Sequence, residues 1–330
     1  AWEYAHVMGK LQVDFDAAGK VAECNGQPYL PIADNFTYTY ATGDVRSLNA
    51  SDAFKVRQKL TKYPEVVATV ADASTQNLLE IYNAEVEVLK QLVIGTAAEN
   101  LCLVRLPGES RSTICPASAT AVNGSDISNI IAKAFLMITP SADIAIQNGG
   151  GVRTDIAAGA VTFAQAVNVL PFNNTLVTME LTGAQIRATL EDALENALRT
   201  GGSTGAYPYA SGLRYHVDAS QTKGSRISNL EINPRVSGSW AAINDATLYT
   251  VVTNDFIAAG QDGYTTFGTV YSAGNFVNTF TLYTQGFIDY IKDLNASNQS
   301  LQKLPLTEYS TQQYIGRDGC NHSTQTCTGY

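Results

Sequence analysis

The chain has 330 residues, of which 45% are hydrophobic and only 15% are charged; its formal net charge is −9 and its pI is near 4.8. This composition is typical of a globular protein with a large core, and the length suggests roughly two domains. Nucleic-acid binding is not expected, because a phosphate backbone is normally met by a basic surface. An anionic ligand would have to be held by a few well-placed arginines, since the overall charge would not attract it.

The five cysteines and the absence of long apolar runs indicate in which cellular compartment the chain is expected. No stretch is apolar enough for a membrane span, and the first residues, AWEYAHVMGK, lack the order of a signal peptide, so we expect a soluble chain. Cys102 and Cys115 bracket a Pro/Gly/Ser loop, and Cys320 and Cys327 bracket a polar tail, which predicts two small disulfide loops with Cys24 left over. A cytosolic protein with free thiols is the alternative.

Seven Asn-x-Ser/Thr sequons permit glycosylation in a secretory pathway, although a chain rich in these residues acquires several by chance. They lie at Asn35, Asn49, Asn123, Asn173, Asn295, Asn298 and Asn321. We expect Asn123 and Asn173 to be unmodified, because both fall inside motifs described below.

The first part of the chain is predicted to be strand and loop followed by two helices. Apolar and polar residues alternate on both sides of an Ala-Ala-Gly-Lys break in LQVDFDAAGKVAEC, which indicates a hairpin. Ser51 and Asp52 offer an N-cap for a helix in AFKVRQKL, and an apolar pattern from about Thr75 to Leu92 predicts a connecting helix. The first seventy residues hold too little apolar material for a core of their own, so we expect them to complete a sheet outside this chain.

The remaining chain mixes helices and strands without strict βαβ alternation, which favours an α+β fold over a doubly wound sheet. Strands are predicted in VIGTA, LCLVRL, ADIAIQ, NTLVTMELTG, GLRYHVDA, RISNLEIN and TLYTVVTNDF. Helices are predicted in SDISNIIAKAFLMI, VTFAQAVNVLPF, TGAQIRATLEDALENALRT and FIDYIKDL. Gly201 and Gly202 are expected to end the longest of these helices.

A glycine turn directly after the predicted strand ADIAIQ is the most specific local feature. Asn148 precedes three consecutive glycines, of which Gly150 is the middle one, and Arg153 follows. Backbone N–H groups without Cβ obstruction, beside a guanidinium, suit an anion or a closely approaching sugar. The turn is neither a Walker loop nor a dinucleotide fingerprint, because Gly-Lys-Ser/Thr and G-x-G-x-x-G are absent. A plain glycine turn with a surface arginine is the alternative.

Two aromatic residues end strands beside turns: Phe172 in VLPFNNT and Phe256 in NDFIAAGQDGY. Rings that face each other across a cleft would stack on a flat heterocycle, which is worth roughly 1–3 kcal/mol per base. Asp262, six residues after the second ring, would accept hydrogen bonds from ribose hydroxyls. Taken singly, each residue is more often part of a core or a turn.

In this order and at these intervals, NGGGVR, VLPFNNTLVTMELTG, STGAYPY and NDFIAAGQDGY resemble the C-terminal domain of the 5'-nucleotidase family, which includes bacterial UDP-sugar hydrolases, ecto-5'-nucleotidase and secreted apyrases. The resemblance runs from about Val93 to Tyr290 and implies a mixed-sheet domain layered α/β/β/α. The expected organisation is a remnant of the metallophosphoesterase domain at 1–70, a connecting helix and hinge at 71–92, and the substrate-binding domain at 93–330.

The resemblance also implies roles for the candidate residues. Phe172 and Phe256 would clamp the base, Asp262 would bind the ribose, and Asn148 would approach the base. Arg153, with the turn at Gly150, would bind the phosphate side. A further family arginine lies shortly before a helix start similar to NGSDISNII; the intervening loop departs from the family version here, so Arg111 is our first choice and Arg105 the second.

The family hydrolyses phosphate esters with two divalent metals, such as Zn, Mn or Mg, held in an N-terminal metallophosphoesterase domain. The three histidines, His6, His216 and His322, lie in none of its metal motifs, and AWEYAHVMGKLQVDFDAAGKV resembles the segment just after the last of them. No metal site or catalytic residue is therefore expected in this chain.

The expected function is the nucleotide-recognising half of a secreted 5'-nucleotidase, inactive without its N-terminal catalytic domain. Its substrates would be nucleoside monophosphates, with UDP-sugars and nucleoside di- and triphosphates left open. A stand-alone nucleotide-binding protein and a non-enzymatic surface protein are the alternatives. The preferred base and the oligomeric state are left open by the sequence.

Overall fold

The computed structural model describes residues 6–33, 35–40, 44–68, 72–236 and 238–327. The chain divides into two compact units, Ala1–Glu85 and Val86–Tyr330. In the described part of the chain, no helix is both long and apolar enough to cross a membrane.

The described part of the first unit contains strands and one complete helix. Its described elements are β1 Met8–Phe15, β2 Val21–Ile32, β3 Thr37–Thr39, β4 Val45–Ser47, α1 Ala50–Leu60 and β5 Val66–Ala68. β1 and β2 form the predicted antiparallel hairpin, with Met8 opposite Tyr29, and β5 joins β2 in parallel. No described residue of this unit is buried. The second helix, α2 Ala73–Lys90, spans the boundary between the units and likewise has no buried residue.

The predicted N-cap of α1 is wrong by two to three residues. Asn49 is the N-cap: its side-chain oxygen accepts a hydrogen bond from the Asp52 backbone N–H over 2.9 Å, while its amide donates to the Asp52 carboxylate over 2.8 Å. An asparagine caps a helix as well as serine or aspartate does, so Ser51 and Asp52 lie inside the first turn instead.

The second unit holds the remaining elements. They are β6 Val93–Ala97, α3 Asp126–Ile138, β7 Ile144–Asn148, β8 Gly159–Thr162, α4 Phe163–Val169, β9 Thr175–Thr182, α5 Gly183–Leu198, β10 Pro208–Ser211, β11 Leu213–Asp218, β12 Ile227–Ile232, β13 Ala241–Ala242, β14 Leu248–Asn254, α6 Asp255–Ala258, α7 Thr265–Ser272, β15 Phe276–Leu282, α8 Tyr283–Ala296 and β16 Thr311–Ile315. The predicted α+β class with mixed sheets is confirmed.

A five-stranded mixed sheet, in the order β10-β7-β14-β9-β15, forms the centre of this unit. β7 and β14 are parallel, and the other pairs are antiparallel. A four-stranded sheet has the order β13-β12-β11-β16, and β6 pairs with β8.

The five-stranded sheet separates two hydrophobic clusters, because neighbouring residues of a strand point to opposite faces. In β7, Ile144 and Ile146 belong to one cluster and Ala145 to the other. The first cluster includes the apolar side of α5, and the second includes apolar residues of α3 and α8. Capping boxes at Thr162 and Thr182 start α4 and α5.

The segment LCLVRL is not the predicted strand; only Leu101 forms a β-bridge, to Ile156. Carboxylates occupy the backbone N–H groups that a strand would use. Asp126 accepts from Cys102, and Glu109 accepts from Arg105 and Leu106. Side-chain acceptors thus replace a sheet partner in this segment.

Both predicted disulfides, Cys102–Cys115 and Cys320–Cys327, are present, and Cys24 is free and exposed. The second disulfide closes the polar tail, as expected. The structure adds His322, which is buried with its ring 5.3 Å from that of Tyr314.

Candidate functional site

The candidate site lies at one edge of the five-stranded sheet. Because β7 and β14 are parallel neighbours, their carboxyl ends, Asn148 and Asn254, reach the same edge. β9 and β10 run the opposite way and begin at this edge. The turns after β7 and β14 and the turns before β9 and β10 therefore meet, as at the ligand-binding crevices of open sheets.

These turns, with the loop that carries Arg105, line a cavity of about 250 Å³. Every predicted site residue except Arg111 lines it: Arg105, Asn148, Gly150, Arg153, Phe172, Phe256 and Asp262. The cavity is also lined by four residues that the sequence analysis did not select: Gly151, Asn174, Ser203 and Gly205. Arg111 lies outside the lining, and its Nε is 3.7 Å from the Glu109 carboxylate.

The glycine turn lets the backbone at Gly150 pack directly against the backbone at Gly205, and both residues line the cavity. A Cβ on Gly150 would lie 3.0 Å from the Cα of Gly205, and a Cβ on Gly205 would lie 3.1 Å from the Cα of Gly150. A Cβ on Gly151 would collide with the amide of Gln147. The second and third glycines of the motif are therefore required by close packing.

A network of buried amides fixes the side chain of Asn148. Its Nδ2 donates to Asp262 Oδ2 over 2.8 Å, and its Oδ1 accepts from Asn254 Nδ2 over 3.1 Å. Asn254 Nδ2 also donates to Gln147 Oε1 over 2.8 Å. Gln147 and Asn254 have no exposed surface, so these bonds form away from water and hold the orientation of Asn148 strongly.

Asp262 occupies a backbone conformation that non-glycine residues rarely adopt, with φ 54°. Gly260 and Gly263, with φ 89° and 81°, form the turn around it. Asn196 of α5 stabilises this turn by donating from Nδ2 to the Asp262 carbonyl over 2.9 Å. Such a conformation costs of order 1–3 kcal/mol and persists only where its surroundings hold it. The carboxylate of Asp262 is thereby kept at the cavity wall.

Positively charged side chains lie close together at the cavity. Burial, followed by the nearby charges of Arg111 and Arg153, lowers the pKa of Arg105. Its guanidinium nonetheless stays protonated at neutral pH, as arginine does throughout proteins. Arg153 Nη1 donates to the Gly150 carbonyl over 3.3 Å, which aims this guanidinium at the glycine turn. Neighbouring cations in a chain of net charge −9 indicate a site for an anion.

The two phenylalanines are held by their backbones while the residues are 41% and 42% exposed. The Phe172 backbone N–H donates to the Tyr283 hydroxyl over 3.0 Å. Phe256 lies in the first turn of α6, which Asn254 caps through the Ile257 N–H. The Arg153 guanidinium carbon lies 5.7 Å from the Phe172 ring centroid, within cation–π range. Anchored backbones with accessible rings suit stacking on a ligand.

No metal centre is found in the part of the chain that the structure describes. Its histidines, cysteines, aspartates and glutamates form no group of three or more that could hold a metal ion. The residues described do not fit a two-metal hydrolytic centre, and no chemical step through a metal follows from them.

The family profile described as 5'-nucleotidase, C-terminal domain, matches residues 93–269, more than half of the chain. The chain belongs to the 5'-nucleotidase family. This match includes the whole glycine turn, both phenylalanines and Asp262, so the cavity lies within the family domain.

Two bacterial nucleotidases are among the most similar curated proteins. The NAD 5'-nucleotidase of Haemophilus influenzae is 32% identical over 295 residues, which cover 88% of this chain and 48% of that protein. A probable 5'-nucleotidase of Treponema pallidum is 30% identical over 300 residues, with 88% and 49% covered. The chain thus spans about half the length of these relatives of the 5'-nucleotidase family.

Solved structures of the family share the fold. The NAD nucleotidase of Haemophilus influenzae aligns with a TM-score of 0.60 at 28% identity, covering 95% of this chain and 54% of that one. A 5'-nucleotidase precursor from Thermus thermophilus aligns with a TM-score of 0.55 at 28% identity, covering 92% and 52%.

Several residues of the site were not found from the sequence. Asn174 lies two positions after Phe172 on the same turn, and this closeness in sequence could have marked it as a cavity residue. Ser203 and Gly205 belong to STGAYPY, a motif that was noted without assigning roles to its residues. Gln147 and Asn196 act through hydrogen bonds to Asn148 and Asp262, and no local pattern marks them.

Proposed function

We propose that this chain is the nucleotide-recognising part of a metal-dependent 5'-nucleotidase, which converts a nucleoside 5'-monophosphate into a nucleoside and phosphate. One observation carries the proposal: two accessible phenyl rings, a carboxylate and two guanidinium groups line a single cavity of about 250 Å³. Ring, carboxylate and cation match the base, the ribose and the phosphate of one ligand.

Each part of the ligand has its own binding group. The base stacks between Phe172 and Phe256, and the ribose hydroxyls donate to Asp262. Asn148, held by its amide network, contacts the base from the wall of the cavity. Arg153 and Arg105 bind the phosphate, and Arg111 lies close enough to Arg105 to add to the local positive potential.

Hydrolysis would require an N-terminal metallophosphoesterase domain with two divalent metals. The similarity of this chain to about half of each relative's length supports this division of labour. On this proposal the residues of the cavity bind and orient the substrate, and orientation by itself can supply a large part of a rate enhancement. Segments 1–70 and 71–92 would belong to the catalytic domain and to the hinge.

The two disulfides support a secreted or periplasmic location, because disulfides persist in oxidising compartments. Among the sequons, Asn123 already donates its amide to the Thr311 carbonyl over 2.7 Å, which supports the expectation that it carries no glycan. Asn173 is exposed beside Phe172, where a glycan would cover the cavity entrance.

Calorimetric titration of the chain with AMP and adenosine tests binding, and phosphate release in the presence of Mn²⁺, Mg²⁺ or Zn²⁺ tests turnover. We expect saturable binding of both ligands, tighter for AMP, and no phosphate release. Phe256→Ala should weaken both by about tenfold, since stacking is worth about 1–3 kcal/mol per base. Phe280→Ala is the matched control, because Phe280 is 83% exposed and does not line the cavity.

The outcomes separate the candidate functions. Phosphate release by this chain would overturn its assignment as the recognition part alone. Absence of binding, or equal binding by Phe256→Ala and wild type, would favour the non-enzymatic surface protein. NAD is the second ligand to titrate, given the name of the Haemophilus relative.

A further inference from the structure

The cations of the candidate site come from two segments that share one anchor. Arg153 follows the glycine turn after β7, whereas Arg105 and Arg111 belong to a loop that precedes α3. Asp155, two residues after Arg153, accepts hydrogen bonds from Leu103 N over 2.5 Å and from Ser112 Oγ over 2.8 Å. One carboxylate therefore ties the start and the later part of the arginine loop to the segment that carries Arg153.

Further contacts show that Asp155 is the hub of this loop. Its Oδ2 accepts from the backbone N–H of Thr113 over 2.8 Å and from the Thr113 hydroxyl over 3.1 Å. The Ser112 hydroxyl in turn accepts from Cys115 N over 3.1 Å, next to the disulfide that closes the loop. The loop has little regular backbone pairing of its own, so its shape depends on these side-chain bonds.

The charges of the site give such an anchor a role. Arg105, Arg111 and Arg153 are close enough for the last two to lower the pKa of the first, after burial. The carboxylates of Glu109 and Asp262 act on Arg105 in the opposite direction, but the repulsion between the arginines still favours an open loop when no anion is bound. A carboxylate that accepts four hydrogen bonds from the arginine loop opposes that opening and holds the loop beside the segment of Arg153.

We propose that Asp155 is a positioning residue for the phosphate end of the ligand, holding the arginine loop against the glycine turn. It does not line the cavity, so it acts through Arg105 and Arg153 and not by touching the ligand. The inference rests on the proposed function, because it assigns the cations to a phosphate. The stacking rings and the ribose carboxylate come from other turns, and Asn148 is held by Asp262 and Asn254, so these contacts do not depend on Asp155.

The test compares AMP with adenosine in calorimetric titrations of the Asp155→Asn chain. We expect the affinity for AMP to fall by about tenfold, because misplacing a binding group by a fraction of an ångström to an ångström is costly. Adenosine affinity should stay within about twofold, as for a change that leaves a site intact. General structural damage would weaken both ligands alike, so the ratio of the two affinities is the deciding quantity.

The matched control is Asp218→Asn. Asp218 also accepts several hydrogen bonds, from Ser220 and Gln221, but lies at the end of β11 outside the cavity lining. It should leave both affinities unchanged. If Asp155→Asn does not fold, Ser112→Ala removes one bond of the same hub and should shift the AMP-to-adenosine ratio in the same direction by a smaller factor.

An unchanged ratio in Asp155→Asn, or in Ser112→Ala where that variant replaces it, overturns the inference while leaving the proposed function intact. A wild-type chain that binds AMP no more tightly than adenosine overturns the phosphate assignment itself, and with it the proposed function. The two failures are therefore distinguishable in one set of titrations.

Discussion

Asn148 and Asp262 are joined by a hydrogen bond of 2.8 Å although 114 residues separate them in the sequence. Asn148 ends β7, and Asp262 lies in the turn beyond β14 and α6. Because β7 and β14 are parallel neighbours, this bond links the two turns that follow them. Both side chains line the cavity, so the bond fixes two of its polar groups relative to each other.

Replacing Asp262 by alanine should weaken adenosine and AMP by the same factor. Hydrogen bonds to a charged group are worth about 1.5–3 kcal/mol, which corresponds to a loss of about tenfold to a hundredfold. Calorimetric titration of Asp262→Ala measures this loss, and Asp293→Ala, an exposed aspartate on α8, is its control. A selective loss of AMP binding would instead place the carboxylate at the phosphate end.

Gly263→Ala should destabilise the turn that presents Asp262. The residue has φ 81°, and an added Cβ would lie 2.6 Å from Cβ of Asn196. The left-handed conformation alone costs an alanine about 1–2 kcal/mol. We expect a lower thermal midpoint together with weaker adenosine binding, whereas Gly9→Ala, where an added Cβ meets nothing within 4 Å, should change neither. Unchanged adenosine binding would show that the turn tolerates this shift.

The sequence predicted the parts of this protein that depend on local chemistry. The hairpin, the helices α4 and α5, both disulfides and the α+β class follow from apolar patterns, cysteine placement and the order of helices and strands. Phe172, Phe256 and Asp262 were selected from motifs, and the structure brings them to one cavity with Asn148 and Arg153. Their roles in binding remain proposals.

Long-range contacts explain the structural features that the sequence analysis did not predict. LCLVRL reads as a strand from its apolar pattern, but carboxylates distant in sequence, such as Asp126 and Asp155, take its N–H groups. Asn196 contacts the Asp262 carbonyl only because α5 packs beside that turn. The choice between Arg105 and Arg111 also depended on the loop conformation, and Arg105 is the one that lines the cavity.

Asp192 should make folding stability depend on pH in the acid range. Burial by itself would raise the pKa of its carboxyl group, but hydrogen bonds from Lys223, Thr265 and Thr266 outweigh this and lower it. A lowered folded-state pKa contributes stability above the unfolded value, about 3.9, and that contribution is lost as pH falls through the folded value. The free energy of unfolding of Asp192→Asn, measured in urea, should therefore fall less steeply below about pH 4 than that of wild type. Parallel pH profiles would contradict this assignment.

Opening the Cys320–Cys327 disulfide should destabilise the second unit. The bond closes a short loop, for which about 2 kcal/mol is expected, and it keeps His322 packed on Tyr314 with its backbone N–H on the Tyr314 carbonyl at 3.0 Å. The double variant Cys320→Ser/Cys327→Ser should have a lower thermal midpoint by several degrees, about 2–4 °C per kcal/mol at this domain size. Cys24→Ser, at a free and exposed thiol, is the control and should leave the midpoint unchanged.

The central claim is that one nucleotide occupies the cavity with its base between two rings and its phosphate on two arginines. A crystal structure of the chain with bound AMP tests it most directly. The account predicts adenine between Phe172 and Phe256, ribose hydroxyls on Asp262, and phosphate oxygens within hydrogen-bond distance of Arg105 and Arg153. A base outside the two rings, or a phosphate pointing away from both arginines, would contradict it.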